Sequence, residues 1–232
     1  MLLSIFIPTF QRKYKFERLY NKLRSLVTND IELIVACSSP EYLPVDNQCN
    51  VHCYNTKGYS REENYMFGIN KCSGTYTVIV EDDDIINVEV IKKFNKLPYI
   101  KNPFISLVVY NVMNDCKIKE NKILSSSEFL NNFYLIFGNT FQWGQCITQT
   151  KYLKYYMSHL WTVKNEHDLI QSDEIITMLI AKNSKYVYLN ETPFLWIGKG
   201  NDNYSWNQNK EIYQRERFLK IRDDLIGKKY FM

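Results

Sequence analysis

Glycine is scarce in this chain. There are eight in 232 residues and none before Gly58, about half the usual share of roughly 7%. The first apolar segment, Leu2–Ile7, is followed by Pro8-Thr9-Phe10-Gln11-Arg12. No GxGxxG appears there, which excludes a dehydrogenase-type dinucleotide fold. A sugar-phosphate nucleotidyltransferase, which opens on a glycine-rich phosphate loop with a following Lys, is disfavoured on the same ground. Histidine is scarce too: His52, His159 and His167 are scattered, none at metal-ligand spacing. The six cysteines (Cys37, Cys49, Cys53, Cys72, Cys116, Cys146) include no CxxC pair, so they read as reduced thiols. No run of about 18 uncharged apolar residues is present to span a membrane. The N-terminus lacks the basic region and small-residue cleavage site of a signal peptide, so a cytoplasmic location is expected. The balance of 29 basic and 25 acidic residues leaves +4, spread along the chain rather than clustered, and no nucleic-acid partner is expected.

What is present is an ordinary globular composition, 45% hydrophobic and 15% aromatic. The spacing predicts strands at Leu2–Ile7, Ile31–Cys37, Asn50–Tyr54 and Thr75–Val80. Between them lie a helix over Lys13–Val27 and one from Ser60 to Cys72. The latter carries a capping box, Ser60 with Glu63 three residues on. This alternation implies an α/β fold with a mostly parallel central sheet flanked by helices. The second half is less regular. It suggests a helix at Val88–Leu97, a strand at Phe104–Val112 and a hairpin arm at Cys116–Leu124. A short helix follows Ser125–Ser127, and Thr140–Thr148 reads as extended. Further on come a helix over Glu166–Lys182, two short strands (Lys185–Leu189 and Pro193–Ile197) and a last helix from Asn207 to Ile226. No linker-like tract divides the chain, so residues 1–232 are expected to form one domain.

Four consecutive carboxylates, Glu81-Asp82-Asp83-Asp84, close the fourth strand. The C-terminal edge of an open α/β sheet is where ligands bind. Crowded like charges repel unless a cation is shared, and hard divalent ions take carboxylate oxygens while keeping positions open for phosphates. The alternative is a solvated acidic turn. Pro8, Thr9 and Phe10 reach the same edge, where an aromatic face can stack on a base.

The order and spacing of these features resemble the family 2 glycosyltransferases of the GT-A fold, of the bacterial polysaccharide or glycoconjugate type. The family's opening strand runs into Pro-Thr-Tyr/Phe-Asn-Arg, here Ser4-Ile5-Phe6-Ile7-Pro8-Thr9-Phe10-Gln11-Arg12. Its middle pattern, a glycine-bearing helix, a strand and Asp-x-Asp, stands here as Gly68-Ile69-Asn70-Lys71-Cys72-Ser73-Gly74 and Glu81–Asp84. The resemblance covers about the first hundred residues well and the rest loosely. It implies a nucleotide-sugar-binding half (1–100) and an acceptor-binding half (101–232). Donor contacts would come from Pro8, Thr9, Phe10, Arg12, Ser38, Arg61 and Asp82, with Mn²⁺ or Mg²⁺ on Asp83 or Asp84. Two registers of the motif stay open, pairing Glu81 with Asp83 or Asp82 with Asp84. The chain departs from the pattern at Gln11, at Cys37-Ser38-Ser39 where an Asp commonly reads the base, and at Asn64-Tyr65-Met66.

An inverting transferase needs a carboxylate base for the acceptor hydroxyl. The resemblance favours Asp173 over Glu166 or Asp168; the alternative is a carboxylate that only complements the helix dipole. Trp143 falls where an acceptor-facing loop is expected, as a sugar-stacking platform or a buried aromatic. Trp196, Tyr204 and Trp206, near Gly198 and Gly200, suggest a lid. The basic, apolar-faced final helix would either lie on an anionic membrane surface, suiting a lipid-linked acceptor, or dock on the domain. The expected activity is a metal-dependent inverting transfer from a nucleotide-sugar donor to a glycan or lipid-linked acceptor. An inactive GT-A-like module binding a glycan or protein partner is the non-enzyme alternative.

Overall fold

The computed structural model describes residues 1–9, 12–97, 100–113, 116–137, 143–162 and 172–196. In chain order the elements are β1 (Leu3–Thr9), α1 (Lys13–Arg24), β2 (Ile31–Cys37), β3 (Val51–Asn55), α2 (Arg61–Lys71), β4 (Tyr76–Ile79), β5 (Ile85–Ile86), α3 (Val88–Lys93), β6 (Ile105–Val112), β7 (Lys122–Ser125), α4 (Ser126–Asn131), α5 (Phe133–Phe137), β8 (Cys146–Gln149), α6 (Thr150–Thr162), α7 (Ser172–Lys182) and β9 (Tyr186–Trp196).

The strands form one sheet in the order β3-β2-β1-β4-β8-β6-β9-β5, with β7 also paired to β9. The first four are mutually parallel. β8 is antiparallel to both β4 and β6, so β6 runs the same way as β4, and β9 is parallel to β6. The C-terminal ends of β1, β4, β6 and β9 therefore share one edge.

Alternation along each strand divides the core between the two faces. Ile5 and Ile7, Leu33 and Val35, and Val78 and Val80 pack with Phe16, Leu19 and Leu23 of α1. Phe6, Ile34 and Ile79 face the other way, against Tyr65 and Ile69 of α2, Leu153 and Met157 of α6, and Ile175 to Ala181 of α7. Burial on both faces is why these strands read as nearly unbroken apolar runs. Gly68 lets α2 approach: a Cβ there would lie 2.0 Å from the Phe6 ring. At the opposite edge from the acidic cluster, buried Glu32 accepts from the Ser73 N–H (2.6 Å), the Ser73 hydroxyl (2.9 Å) and the Gly74 N–H (3.1 Å), tying the turn after α2 to β2.

Several expectations need correction. β1 does not stop at Pro8 but continues to Thr9, with Pro8 opposite Ala36 of β2. The β4 ladder has ended by then, its last backbone bond running from Val80 N–H to Phe6 O, so the missing proline N–H is not needed. Residues 116–124 are not a hairpin arm; β7 pairs antiparallel with β9, Lys122 opposite Leu189. The two short strands expected at 185–197 are one strand, β9, which absorbs Pro193 at register shifts opposite Tyr110, Asn111 and Val112. Helix α6 was not anticipated; β8, four residues long, leads directly into it.

Candidate functional site

The acidic segment forms a tight turn between β4 and β5. The Asp84 backbone N–H donates to Glu81 O (3.0 Å), and the Glu81 N–H donates back to Asp84 Oδ2 (2.9 Å). β5 then pairs with Leu195–Trp196 of β9, so the turn is pinned on both sides. Asp82, Asp83 and Asp84 are each at most 8% exposed; a solvated turn is not what the structure holds.

The four carboxylates have different environments. Asp82 accepts the Thr9 hydroxyl (2.8 Å) and Arg12 Nη1 (3.1 Å), which locks the ends of β1 and β4 together. Asp83 meets the same Arg12 nitrogen as an ion pair at 2.7 Å, yet neither of its buried oxygens accepts a hydrogen bond. Asp84 is the clasp of the turn, and Gly144 lies close enough that a Cβ there would sit 3.4 Å from Asp84 Oδ2. Burial pushes the Asp84 carboxyl well above the usual range, helped by the charges of Glu81 and Asp83 and opposed by the Glu81 N–H. Glu81 accepts the Tyr65 hydroxyl at 2.5 Å and pairs with Arg61 at 3.3 Å. Burial, then the Glu81 charge, raises the Tyr65 phenol far above its ordinary value.

Among the described residues, no group of three or more His, Cys, Asp or Glu side chains is disposed to hold a metal unaided. The donor set nevertheless fits a hard divalent ion that uses one or two carboxylates and completes its shell with phosphate oxygens and water. Asp83 supplies two buried oxygens with unfilled acceptor capacity, which an interior site tolerates only at a cost of about 1–3 kcal/mol. Of the two candidate ligands, Asp84 has one oxygen engaged by the Glu81 N–H, and Asp83 meets Arg12 as an ion pair but accepts no hydrogen bond at either oxygen.

Of the other sequence candidates, Ser38 lies beside the same edge, its N–H and hydroxyl both donating to Thr9 O at 3.2 Å. Arg61 is turned toward Glu81 and stacks over the Tyr65 ring, 5.6 Å from its centroid. Trp143, a candidate stacking platform, is 8% exposed and packed in the core cluster with Phe6 and Tyr65; burial leaves little of its face for a sugar. Asp173 sits in the first turn of α7, its side chain outside what the structure describes. Phe10, Gln11, Glu166, Asp168, Gly198, Gly200, Tyr204, Trp206 and the final helix at 207–226 lie outside the described residues. The Tyr65–Glu81–Arg61 contact was not read from the sequence. Its signal was there, an Arg and a Tyr four residues apart on a helix whose start the capping box fixed.

No family model and no curated protein matches the chain. Solved structures do match in shape. The fragment 1–349 of S. aureus TarS in complex with UDP-GlcNAc superposes with a TM-score of 0.66 at 14% identity, over 96% of this chain and 66% of that one. The mannosyltransferase PcManGT from Pyrobaculum calidifontis, in complex with GDP-Man and Mn²⁺, gives 0.61 at 10% identity, over 96% and 63%. The chain thus spans about two thirds of the length of each. Identity this low carries the architecture and nothing finer: the protein has the GT-A glycosyltransferase fold.

Proposed function

We propose that the protein is a metal-dependent inverting glycosyltransferase that moves a sugar from a nucleoside-diphosphate donor to a glycan or lipid-linked acceptor. The observation that carries this reading is the buried Asp82–Asp84 turn at the C-terminal edge of β4, where neither Asp83 oxygen accepts a hydrogen bond. The likeness to nucleotide-sugar-binding folds agrees with it.

In this reading Asp83 is the chain's ligand to Mn²⁺ or Mg²⁺, with Asp84 shaping the turn beside it. A bound divalent ion would neutralise charge developing on the departing diphosphate. Thr9, Arg12, Ser38 and Asp82, brought together where β1, β2 and β4 end, form the donor side with Pro8 and Phe10. Arg61 supports them through Glu81. Asp173 takes the proton of the acceptor hydroxyl. That oxygen attacks the anomeric carbon while the bond to the diphosphate oxygen breaks, and the nucleoside diphosphate leaves with the electron pair. The topology supports this role: α7 leads directly into β9 and packs on β6. A helix returning along the sheet in this way has its first turn near the edge where β9 ends.

The test is release of nucleoside diphosphate from UDP-, GDP- and dTDP-sugars with a mixed glycan acceptor, with Mn²⁺ or with EDTA. Wild type should turn over at least one donor only with metal. D83N should lose about 100-fold or more, and D173N should lose turnover while retaining donor binding. Metal-independent release, or wild-type rates in D83N, would overturn the reading. The basic segment 207–226 is proposed as a peripheral membrane contact. Co-sedimentation with anionic vesicles that is unchanged on deletion after Asn209 would remove that part alone.

A further inference from the structure

We infer that Arg12 is a resident counter-cation, occupying the cation position at Asp83 until a donor diphosphate draws it away. The inference rests on Asp83 as the cation ligand. One guanidinium nitrogen, Nη1, lies 3.1 Å from Asp82 and 2.7 Å from Asp83. One guanidinium nitrogen between two buried carboxylates places positive charge where a divalent ion would sit. The contact with Asp83 is an ion pair without hydrogen-bond geometry, so the Asp83 oxygens hold this cation by charge alone, ready to be taken by another.

Two independent features agree. Arg12 stands at the N-cap of α1, where its side chain makes no capping bond, Lys13 follows, and the first turn holds no acidic residue. Cations at a helix N-terminus oppose the macrodipole, so this placement is unfavourable for the helix and is compensated by the acidic turn it faces. The Arg12 side chain is also 34% exposed, against 1% for that of Asp83, so the arginine has a solvent-side path that the carboxylate lacks. A guanidinium leaving carboxylates for a diphosphate exchanges one set of charge-assisted contacts for another of equal kind. Thr9 keeps Asp82 in place during the exchange through its 2.8 Å bond.

The experiment is Mn²⁺ binding to the donor-free protein, followed by the EPR signal of free Mn²⁺, in wild type, R12Q, R12K, D83N and R12Q/D83N. Removing the internal competitor should tighten Mn²⁺ binding about tenfold or more in R12Q. R12K, which keeps the charge without the fork, should fall between. D83N should abolish binding in both backgrounds. R12Q binding Mn²⁺ no better than wild type, or no Mn²⁺ binding by either, would overturn the counter-cation role while Asp83 could still serve as ligand once donor is bound. Mn²⁺ binding that survives in D83N would overturn the cation assignment itself, and with it this inference. Should R12Q fail to fold, R12K against wild type gives the same ordering.

Discussion

Asp83 is expensive for the fold to keep. Its two oxygens are buried and accept no hydrogen bond, and buried charge retained without full partnering points to use rather than to stability. Removing that charge leaves Arg12 with Asp82, so no new unpaired ion is created. D83N is therefore expected to melt no lower than wild type in EDTA while losing metal-dependent turnover. Differential scanning calorimetry checks it. A fall in Tm of more than about 5 °C, which corresponds to roughly 2 kcal/mol in a domain of this size, would mean that Asp83 is mainly structural. The acidic run and the end of the strand before it were plain in the sequence. Its internal division was not: four acidic residues in a row give no hint that Asp82 ties two strands, Asp84 clasps its own turn, Glu81 faces Tyr65 and Asp83 accepts no hydrogen bond at either oxygen. Those roles depend on which partners the sheet brings to each oxygen.

At the scale of elements, the glycine of α2 is a spacer. A methyl at Gly68 would enter the Phe6 ring at 2.0 Å, and that ring is held edge-on by Tyr65, so it has little room to retreat. G68A should lose about 2–3 kcal/mol in urea unfolding, despite the roughly 1 kcal/mol that alanine gains over glycine in a helix. Unchanged stability would show that α2 can slide. A second element-scale contact joins the segment before β3 to α1. Asp46 accepts from the Tyr20 hydroxyl, the Arg24 guanidinium (3.1 Å at Nη2) and the Gln48 N–H (2.8 Å). The Arg24 contact, then that of Tyr20, holds the Asp46 carboxyl well below the usual carboxylate range. A depressed folded pKa means that its stabilisation is complete above the unfolded value of about 4 and fades as pH falls below it. D46N should melt lower than wild type at pH 7, with the gap closing toward pH 2; a gap constant with pH would refute the ionic origin. Elements with a strong local signature were legible. Ser60 with Glu63 marked the start of α2, and both reciprocal capping bonds form. Where legibility failed, the deciding contacts were distant. α6 opens with Thr150, whose hydroxyl bonds Gly74 O and Thr77 across the sheet, and in its Lys-Tyr-rich sequence the core face is built, among the described side chains, on Leu153 and Met157 flanked by Tyr152 and Tyr156. β9 survives Pro193 because Asn111 donates to Glu191 O (2.7 Å) across the irregular stretch of the ladder.

For the molecule as a whole, the edge where β1, β4, β6 and β9 end collects residues from positions 9 to 196 around one acidic turn. The same fold carries UDP-GlcNAc in TarS and GDP-Man with Mn²⁺ in PcManGT, so fold alone does not choose the base. In the proposed donor site the base would be read at the end of β2, where this chain has Cys37-Ser38-Ser39. Ser38 already spends its N–H and hydroxyl on Thr9 O, which favours recognition of the base through backbone groups and stacking over a carboxylate. A ligand that binds only the native state stabilises it by about 2.7 kcal/mol at a concentration one hundred times its Kd. For a chain of this length, that is a rise in Tm of roughly 5–10 °C. Screened by thermal shift with Mn²⁺, one nucleoside diphosphate of the UDP, GDP and dTDP series should produce a rise of that size, and EDTA should erase most of it. Because the proposed cation on Asp83 would also bind the diphosphate, the rise with both should exceed the sum of the rises with each alone. Equal additive shifts for every nucleotide, indifferent to EDTA, would mean that the nucleotides bind away from this edge.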